Sequence, residues 1–131
     1  MEKYITRDDY LLAKGIDLNI ELQNNDNSST KVDRFIHEVT DWCVEHLISH
    51  YFVDELNPEL YAFTDLATFR QNYFRKGVIE QIEYLLSEGD ISIQSGINEQ
   101  LGIIVNYDTI ELGKRAYQAF KMGAFCNVAR A

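Results

Sequence analysis

The chain has 131 residues, 46% of them hydrophobic and 25% charged, which is the size and composition of one globular domain. No apolar run approaches the roughly 20 residues that a transmembrane helix needs, and the opening residues, MEKYITRDDY, lack the apolar stretch of a signal peptide. We therefore expect a single soluble domain over residues 1–131, without membrane contact. Cys43 and Cys126 lie far apart with no CxxC spacing, which predicts reduced, buried thiols.

The net charge of −9 arises in one part of the chain. Residues 16–65 contain eleven acids and two bases, whereas the remainder contains ten of each. Because nucleic-acid binding relies on Lys and Arg to neutralise phosphates, this distribution argues against tight DNA binding. A solvated acidic face that keeps the protein soluble is the simplest interpretation.

A first, short helix is predicted over Arg7–Lys14. Thr6 and Asp9 have the spacing of a capping box, and Gly15 can end the helix in a left-handed conformation. Residues 16–22 fit either a second short turn or an extended piece, and the pattern does not decide between them.

Two long helices are predicted, over 31–51 and over 65–88. The first is amphipathic, and its apolar face consists of Val32, Phe35, Ile36, Val39, Trp42, Cys43, Leu47 and Tyr51. Its opposite face carries Arg34, Glu38, Asp41 and Glu45. The second, capped by Thr64 or Asp65, is apolar over more than half of its circumference, so it is either central to the fold or contacted by a second subunit. Gly77 in its interior costs about 1 kcal/mol relative to Ala, which predicts close approach by another backbone or an aromatic ring.

The helical pattern breaks after Gly89. Ile91, Ile93 and Ile97 are separated by small polar residues, and the apolar run LGIIVNY follows at 101–107. A two-stranded ribbon is marginal by itself, and its free edge favours pairing. The partner is either the same helical core or a neighbouring subunit, and the broadly apolar helix before this segment favours the neighbouring subunit.

A final helix is predicted from Ile110 to Met122, capped by Asp108 or Thr109 and ended by Gly123. The predicted fold class is therefore mainly α, a small bundle of three to four helices with an extended or β-hairpin segment near 90–107.

Catalytic and cofactor motifs are missing from the sequence, which has no GxSxG, no GxxxxGK[ST] and no GxGxxG. His46 and His50 are the metal candidates because positions i and i+4 share a helix face, and Asp54 or Glu55 would have to supply a third ligand. Both histidines, however, fall within the apolar stripe near Trp42. That position favours core or interface histidines over a metal site or a pH switch. We therefore expect no enzyme activity, no metal and no cofactor.

Four stretches follow one another along nearly the whole chain: YITRDDYLLAKGIDL, VDRFIHEVTDWCVEHLISHYF, FRQNYFRKGVIEQIEYLLSEGDISIQSGIN and LGKRAYQAFKMGAFCN. They resemble, in that order, the opening short helix, the first long helix, the second long helix with its following loop, and the closing helix of the head–tail connector (adaptor) proteins of tailed bacteriophages and prophages. The loops IDLNIELQNNDNSST and LNPELYAF are less similar to that family.

The resemblance implies a structural virion protein that assembles in the cytoplasm of a bacterial host. Such proteins form a ring, here of dodecamer type, which lies under the portal protein and extends the DNA channel. They dock the downstream tail-completion (stopper) protein, and DNA passes without specific binding. The resemblance implies that the portal is contacted by Phe125, Cys126, Asn127, Val128 and Arg130. The expected subunit interface consists of Phe74, Val78, Ile91, Ile93 and Ile97.

An acidic channel wall would repel a DNA duplex at short range, over a Debye length of about 8–10 Å. The acids that we expect to face the channel are Glu38, Asp41, Glu45, Asp54, Glu55 and Glu59. The main alternative is a small acidic helical binding or regulatory module with a basic protein partner, whose acidic half would be the binding face. A small hydrolase that binds a metal through His46 and His50 is the third alternative.

Overall fold

The computed structural model describes residues 4–21, 29–88, 91–93, 103–105 and 110–126. These residues form five α-helices, which are α1 (Arg7–Lys14), α2 (Leu18–Glu21), α3 (Ser29–Tyr51), α4 (Thr68–Glu88) and α5 (Lys114–Met122). Two 3-10 turns, Asp54–Leu56 and Phe63–Asp65, connect α3 to α4. The mainly α fold class is confirmed. Within the described ranges, no helix combines the length and the apolar character needed to cross a bilayer.

α1 begins and ends where the sequence predicts. The Asp9 N–H donates to Thr6 Oγ1 (3.2 Å) and the Thr6 N–H donates to Asp9 Oδ2 (2.8 Å), which completes the capping box. Gly15 ends the helix at φ 70°, in the left-handed region. The undecided stretch after it contains a helical turn, α2, whose Leu18 is fully buried.

α3 buries one face along its length. The buried residues are Val32, Phe35, Ile36, Val39, Thr40, Cys43, Val44 and Leu47. Trp42 and Tyr51, predicted on the same face, lie half-buried at its margin. The helix ends at Phe52, whose φ of 56° is unusual for a bulky residue. Its N–H donates to the Ile48 carbonyl oxygen (3.1 Å).

α4 is the central helix and packs against both α5 and α3. It buries Phe74, Gly77, Val78, Ile79, Gln81, Ile82 and Leu85. The chain's own helices therefore cover most of its apolar face, whereas Phe69, near the start of the helix, is 54% exposed. The interface predicted at Phe74 and Val78 is wrong, because both side chains are fully buried inside this chain.

The start of α4 differs from the prediction, at Thr68 rather than Asp65. Phe63–Asp65 forms a separate 3-10 turn that buries Phe63. The side chain of Gln71 then donates to the carbonyl oxygens of Thr64 (3.3 Å) and Leu66 (2.8 Å), which satisfies backbone groups before the helix.

The core is organised around Phe74. Its ring centroid lies 5.3, 5.6 and 5.7 Å from those of Phe63, Phe120 and Phe125, respectively. These rings come from the loop before α4, from α5 and from the segment after α5. A Cβ at Gly77, one turn further along α4, would lie 2.3–2.6 Å from ring atoms of Phe120. The predicted close approach of an aromatic ring to Gly77 is therefore confirmed.

α5 begins at Lys114, four residues later than predicted. The fully buried side chain of Gln81 accounts for the difference. Its Nε2 donates to the Glu111 carbonyl oxygen (2.9 Å), and its Oε1 accepts from the Gly113 N–H (2.8 Å). The residues before α5 are thus bound to α4 through their backbone groups. The predicted caps, Asp108 and Thr109, lie outside the described residues.

Two three-residue strands, β1 (Ile91–Ile93) and β2 (Ile103–Val105), form an antiparallel pair. Ile91 pairs with Val105 and Ile93 with Ile103. The residues that connect them are outside the described ranges, so a hairpin over all of 90–107 stays a prediction.

Candidate interaction surfaces

The acids expected to face a channel fall into two groups. Glu38 and Glu45 on α3, and Asp54 and Glu59 in the following loop, are exposed. Two others, Asp41 and Glu55, are less available. The Oδ1 atom of Asp41 is buried without a hydrogen-bond partner within the described structure, and Glu55 Oε1 lies 4.0 Å from Arg70 Nη1.

The loop between α3 and α4 exposes apolar side chains beside its acids. We call residues 52–62 the acidic loop. Leu60 is 66% and Tyr61 49% exposed, whereas Val53 and Leu56 are buried beneath them. This surface was not predicted from the sequence. The stretch LNPELY could have indicated it, because Pro58 there precedes an acid and two large apolar residues.

A groove of about 460 Å³ lies between α1 and α4. Its apolar lining is formed by Leu12, Ala13 and Ile79, and its basic lining by Lys14, Arg75 and Lys76. A second groove, of about 320 Å³, lies between α4 and α5 and shares Lys76. We call the first the α1–α4 groove. The helical repeat did not reveal it, because it depends on how α1 packs across α4.

Lys14 crosses from α1 to two acids of α4. Its Nζ lies 2.5 Å from Glu80 Oε1 and 2.9 Å from Glu83 Oε2. Burial opposes the charge of Lys14, but hydrogen bonds and attraction to the two carboxylates outweigh it and raise the lysine pKa. Arg115 Nη1 lies 3.5 Å from Glu83 Oε1. These contacts connect α1, α4 and α5 on the outer side of the bundle.

His46 and His50 stack on each other instead of converging on an ion. Their ring centroids are 4.0 Å apart and their planes differ by 18°, and the His46 ring also stacks on Trp42 at 4.8 Å. His50 Nδ1 lies 3.1 Å from the His46 carbonyl oxygen. The described residues contain no group of three or more His, Cys, Asp or Glu side chains that could hold a metal. This arrangement is a π-stack at the edge of the core.

The stacked ring of His46 should make stability depend on pH. Burial, together with the charge of His50, lowers the His46 pKa to about 4. In the unfolded chain the His46 ring takes up a proton near pH 6.5. The contribution of neutral His46 to the free energy of unfolding is therefore complete above that pH and is lost as the pH falls towards the pKa of the folded state. We expect a loss on the order of 1 kcal/mol, since solvent screens this half-exposed ring.

Urea unfolding of the wild type and of His46→Phe between about pH 7.5 and pH 4.5 measures this contribution. The phenylalanine retains the stack with Trp42 but cannot titrate, so its free energy of unfolding should fall less on acidification. An identical pH dependence of the two proteins would contradict the assignment.

The segment after α5 is anchored in the core. Phe125 and Cys126 are buried, and burial raises the pKa of the Cys126 thiol to about 11. Arg70 Nε donates to the Gly123 carbonyl oxygen (2.9 Å), and its guanidinium carbon lies 4.6 Å from the centre of the Phe125 ring. The portal contact expected at Phe125 and Cys126 is therefore wrong for these two side chains, because the core already holds them.

Cys43 is a buried free thiol, as predicted, and burial raises its pKa. Residues outside the described ranges include Ile97 of the expected subunit interface and three residues of the expected portal contact, Asn127, Val128 and Arg130. Ile91 and Ile93 belong to β1, and their predicted interface role is untested.

No family model matches the chain, and the comparisons with curated proteins and with solved structures found no significant match.

Proposed function

We propose that the protein is a head–tail connector, a structural virion component that forms a ring under the portal and extends the DNA channel. The observation that carries the proposal is the exposed acidic face of α3. Glu38 and Glu45 are seven residues apart, so they lie two turns apart on the same side of the helix. A wall of this kind lets DNA pass without binding its phosphates.

The remaining parts of the chain would serve assembly. In this proposal the segment 90–107 is a hairpin that reaches the neighbouring subunit. The antiparallel pairing of β1 with β2 bears on the hairpin and not on the contact with the neighbour. The portal is contacted by residues that follow the buried anchor Phe125, namely Asn127, Val128 and Arg130. The downstream stopper protein binds the opposite side of the ring.

Assembly on a portal tests the proposal. The gene is expected to lie among portal, capsid and tail genes, and the portal protein encoded there is the reagent. Mixing it with this protein should give, by electron microscopy and native mass spectrometry, a second ring stacked on the portal ring. If no complex forms at millimolar protein, the proposal fails. Tight binding of a basic protein from the same operon would then support the acidic binding module.

DNA-filled phage particles that incorporate the protein test the acidic wall. The double variant Glu38→Lys, Glu45→Lys should still assemble but should slow DNA ejection, because lysines bind phosphates. The matched control, Glu88→Lys with Glu111→Lys, changes the charge equally at two exposed acids outside α3. Equal ejection rates for the two double variants would remove the wall from the proposal.

A further inference from the structure

The acidic loop presents a rigid apolar tip. The Asn57 carbonyl oxygen accepts from the N–H groups of Leu60 (3.1 Å) and Tyr61 (3.0 Å), and Asn57 Oδ1 accepts from the Glu59 N–H (2.9 Å). Below this turn, Leu56 is buried in the core. The two apolar side chains are thus held outward by hydrogen bonds and by an anchored base, which lowers the entropic cost of docking.

The surroundings of this tip are negative. Residues 52–69 contain four acids and no Lys or Arg. Asp54 and Glu59 are exposed there. The loop also begins with Phe52, a bulky residue held at φ 56°, and backbone strain of that kind is concentrated at functional positions.

The α1–α4 groove has the complementary properties. Leu12, on its α1 side, is 86% exposed, more than any other large apolar side chain within the described structure. Ile79 and Ala13 continue the apolar lining, and Arg75 and Lys76 border it. Lys76 is exposed and has no ion pair or hydrogen bond within the part of the chain that the structure describes. The α1–α4 groove is lined by three bases and by two acids, Asp9 and Glu80. Because Lys14 is paired with Glu80 and Glu83, the positive charge that faces solvent comes from Arg75 and Lys76.

We propose that the acidic loop of one copy docks into the α1–α4 groove of a second copy of this chain. Leu60 and Tyr61 contact Leu12, and Glu59 faces Lys76. The contact is head-to-tail: the acidic loop of one copy enters the groove of the next, so surfaces of opposite charge meet and the contacts continue past a dimer. A two-fold contact would instead seat both loops in both grooves at once and stop at a dimer. The inference rests on the proposed function, since a head-to-tail contact repeated around an axis closes a ring. The channel role then belongs to Glu38 and Glu45, and Asp54 and Glu59 face the neighbour.

Two single variants break the two sides of this contact separately. Leu60→Asn replaces the apolar side chain at the tip by an uncharged polar one, and Lys76→Glu places an anion at the groove. Both positions are exposed, so both variants should fold, which circular dichroism and thermal unfolding verify. The wild type should form species larger than a dimer in sedimentation velocity as its concentration rises, and each variant should need at least about tenfold more protein to associate.

Mixing the two variants gives the decisive result. The Lys76→Glu protein keeps an intact loop and the Leu60→Asn protein keeps an intact groove, so together they should form a one-to-one heterodimer that grows no further. The controls are Ile20→Lys, which alters another highly exposed apolar side chain, and Lys114→Glu, which reverses a charge outside both grooves. Both controls should associate like the wild type.

Three results would overturn the inference: single variants that associate like the wild type, a mixture that stays monomeric, and a mixture that grows beyond a dimer. A wild-type chain that remains monomeric at millimolar concentration would overturn it as well. None of these results affects the portal experiment, so failure of this contact and failure of the proposed function are distinguishable.

Discussion

Gly77→Ala is expected to lower the free energy of unfolding by about 2 kcal/mol. The new methyl group would lie 2.3 Å from Cε1 of Phe120, and this ring cannot retreat easily because the rings of Phe74 and Phe125 surround it at centroid distances of 5.6 and 6.5 Å. Overpacking of this kind costs about 1–3 kcal/mol, and the short distance indicates the upper end. Alanine recovers about 1 kcal/mol through its higher helix propensity.

A double-mutant cycle with Phe120→Leu isolates the clash. Leucine lacks the Cε1 and Cζ atoms that account for two of the three closest approaches to the added Cβ. In that background Gly77→Ala should be neutral or stabilising, which reverses the sign of its effect. Ser87→Ala, at an exposed position of the same helix, controls for propensity without packing. Equal destabilisation by Gly77→Ala in both backgrounds would show that Phe120 is not the cause.

Gln81→Met is expected to destabilise the protein by about 2–3 kcal/mol, although methionine matches glutamine in length and is well suited to a core. The substitution removes the donor to the Glu111 carbonyl oxygen and the acceptor of the Gly113 N–H. The Gly113 N–H is buried, and an unsatisfied buried backbone group costs about 1–3 kcal/mol. Urea unfolding at constant m-value measures the loss.

Hydrogen exchange shows which part of the structure loses stability in Gln81→Met. The Gly113 amide should lose protection in Gln81→Met before amides in the centre of α3 do, since its only acceptor within the described structure is the Gln81 side chain. Gln118→Met, at an exposed position of α5, makes the same chemical change without burial and should leave stability nearly unchanged. A uniform loss of protection throughout the helices would mean that Gln81 supports the core in general instead of this junction.

Features that depend on neighbours within a few residues could be predicted from the amino-acid sequence. The cap at Thr6 and the left-handed Gly15 set the limits of α1, and the helical repeat identified the buried face of α3. Gly77 also belongs here, because a glycine that costs helix stability in the middle of a long apolar helix indicates that something approaches its backbone closely. These signals are local, so no knowledge of the fold was needed to read them.

Which apolar surfaces are buried by other parts of the same chain could be seen only in the folded structure. The wide apolar face of α4 suggested a second subunit, yet α3 and α5 bury Phe74 and Val78 completely. Phe125 was expected to dock and is instead a core residue under Arg70. Conversely, the exposure of Leu12 and Leu60 follows from where α1 and the acidic loop pack. The hydrophobicity of a side chain predicts how strongly it favours burial. The residues that bury it, however, are distant in the chain, and a periodic sequence pattern does not identify them.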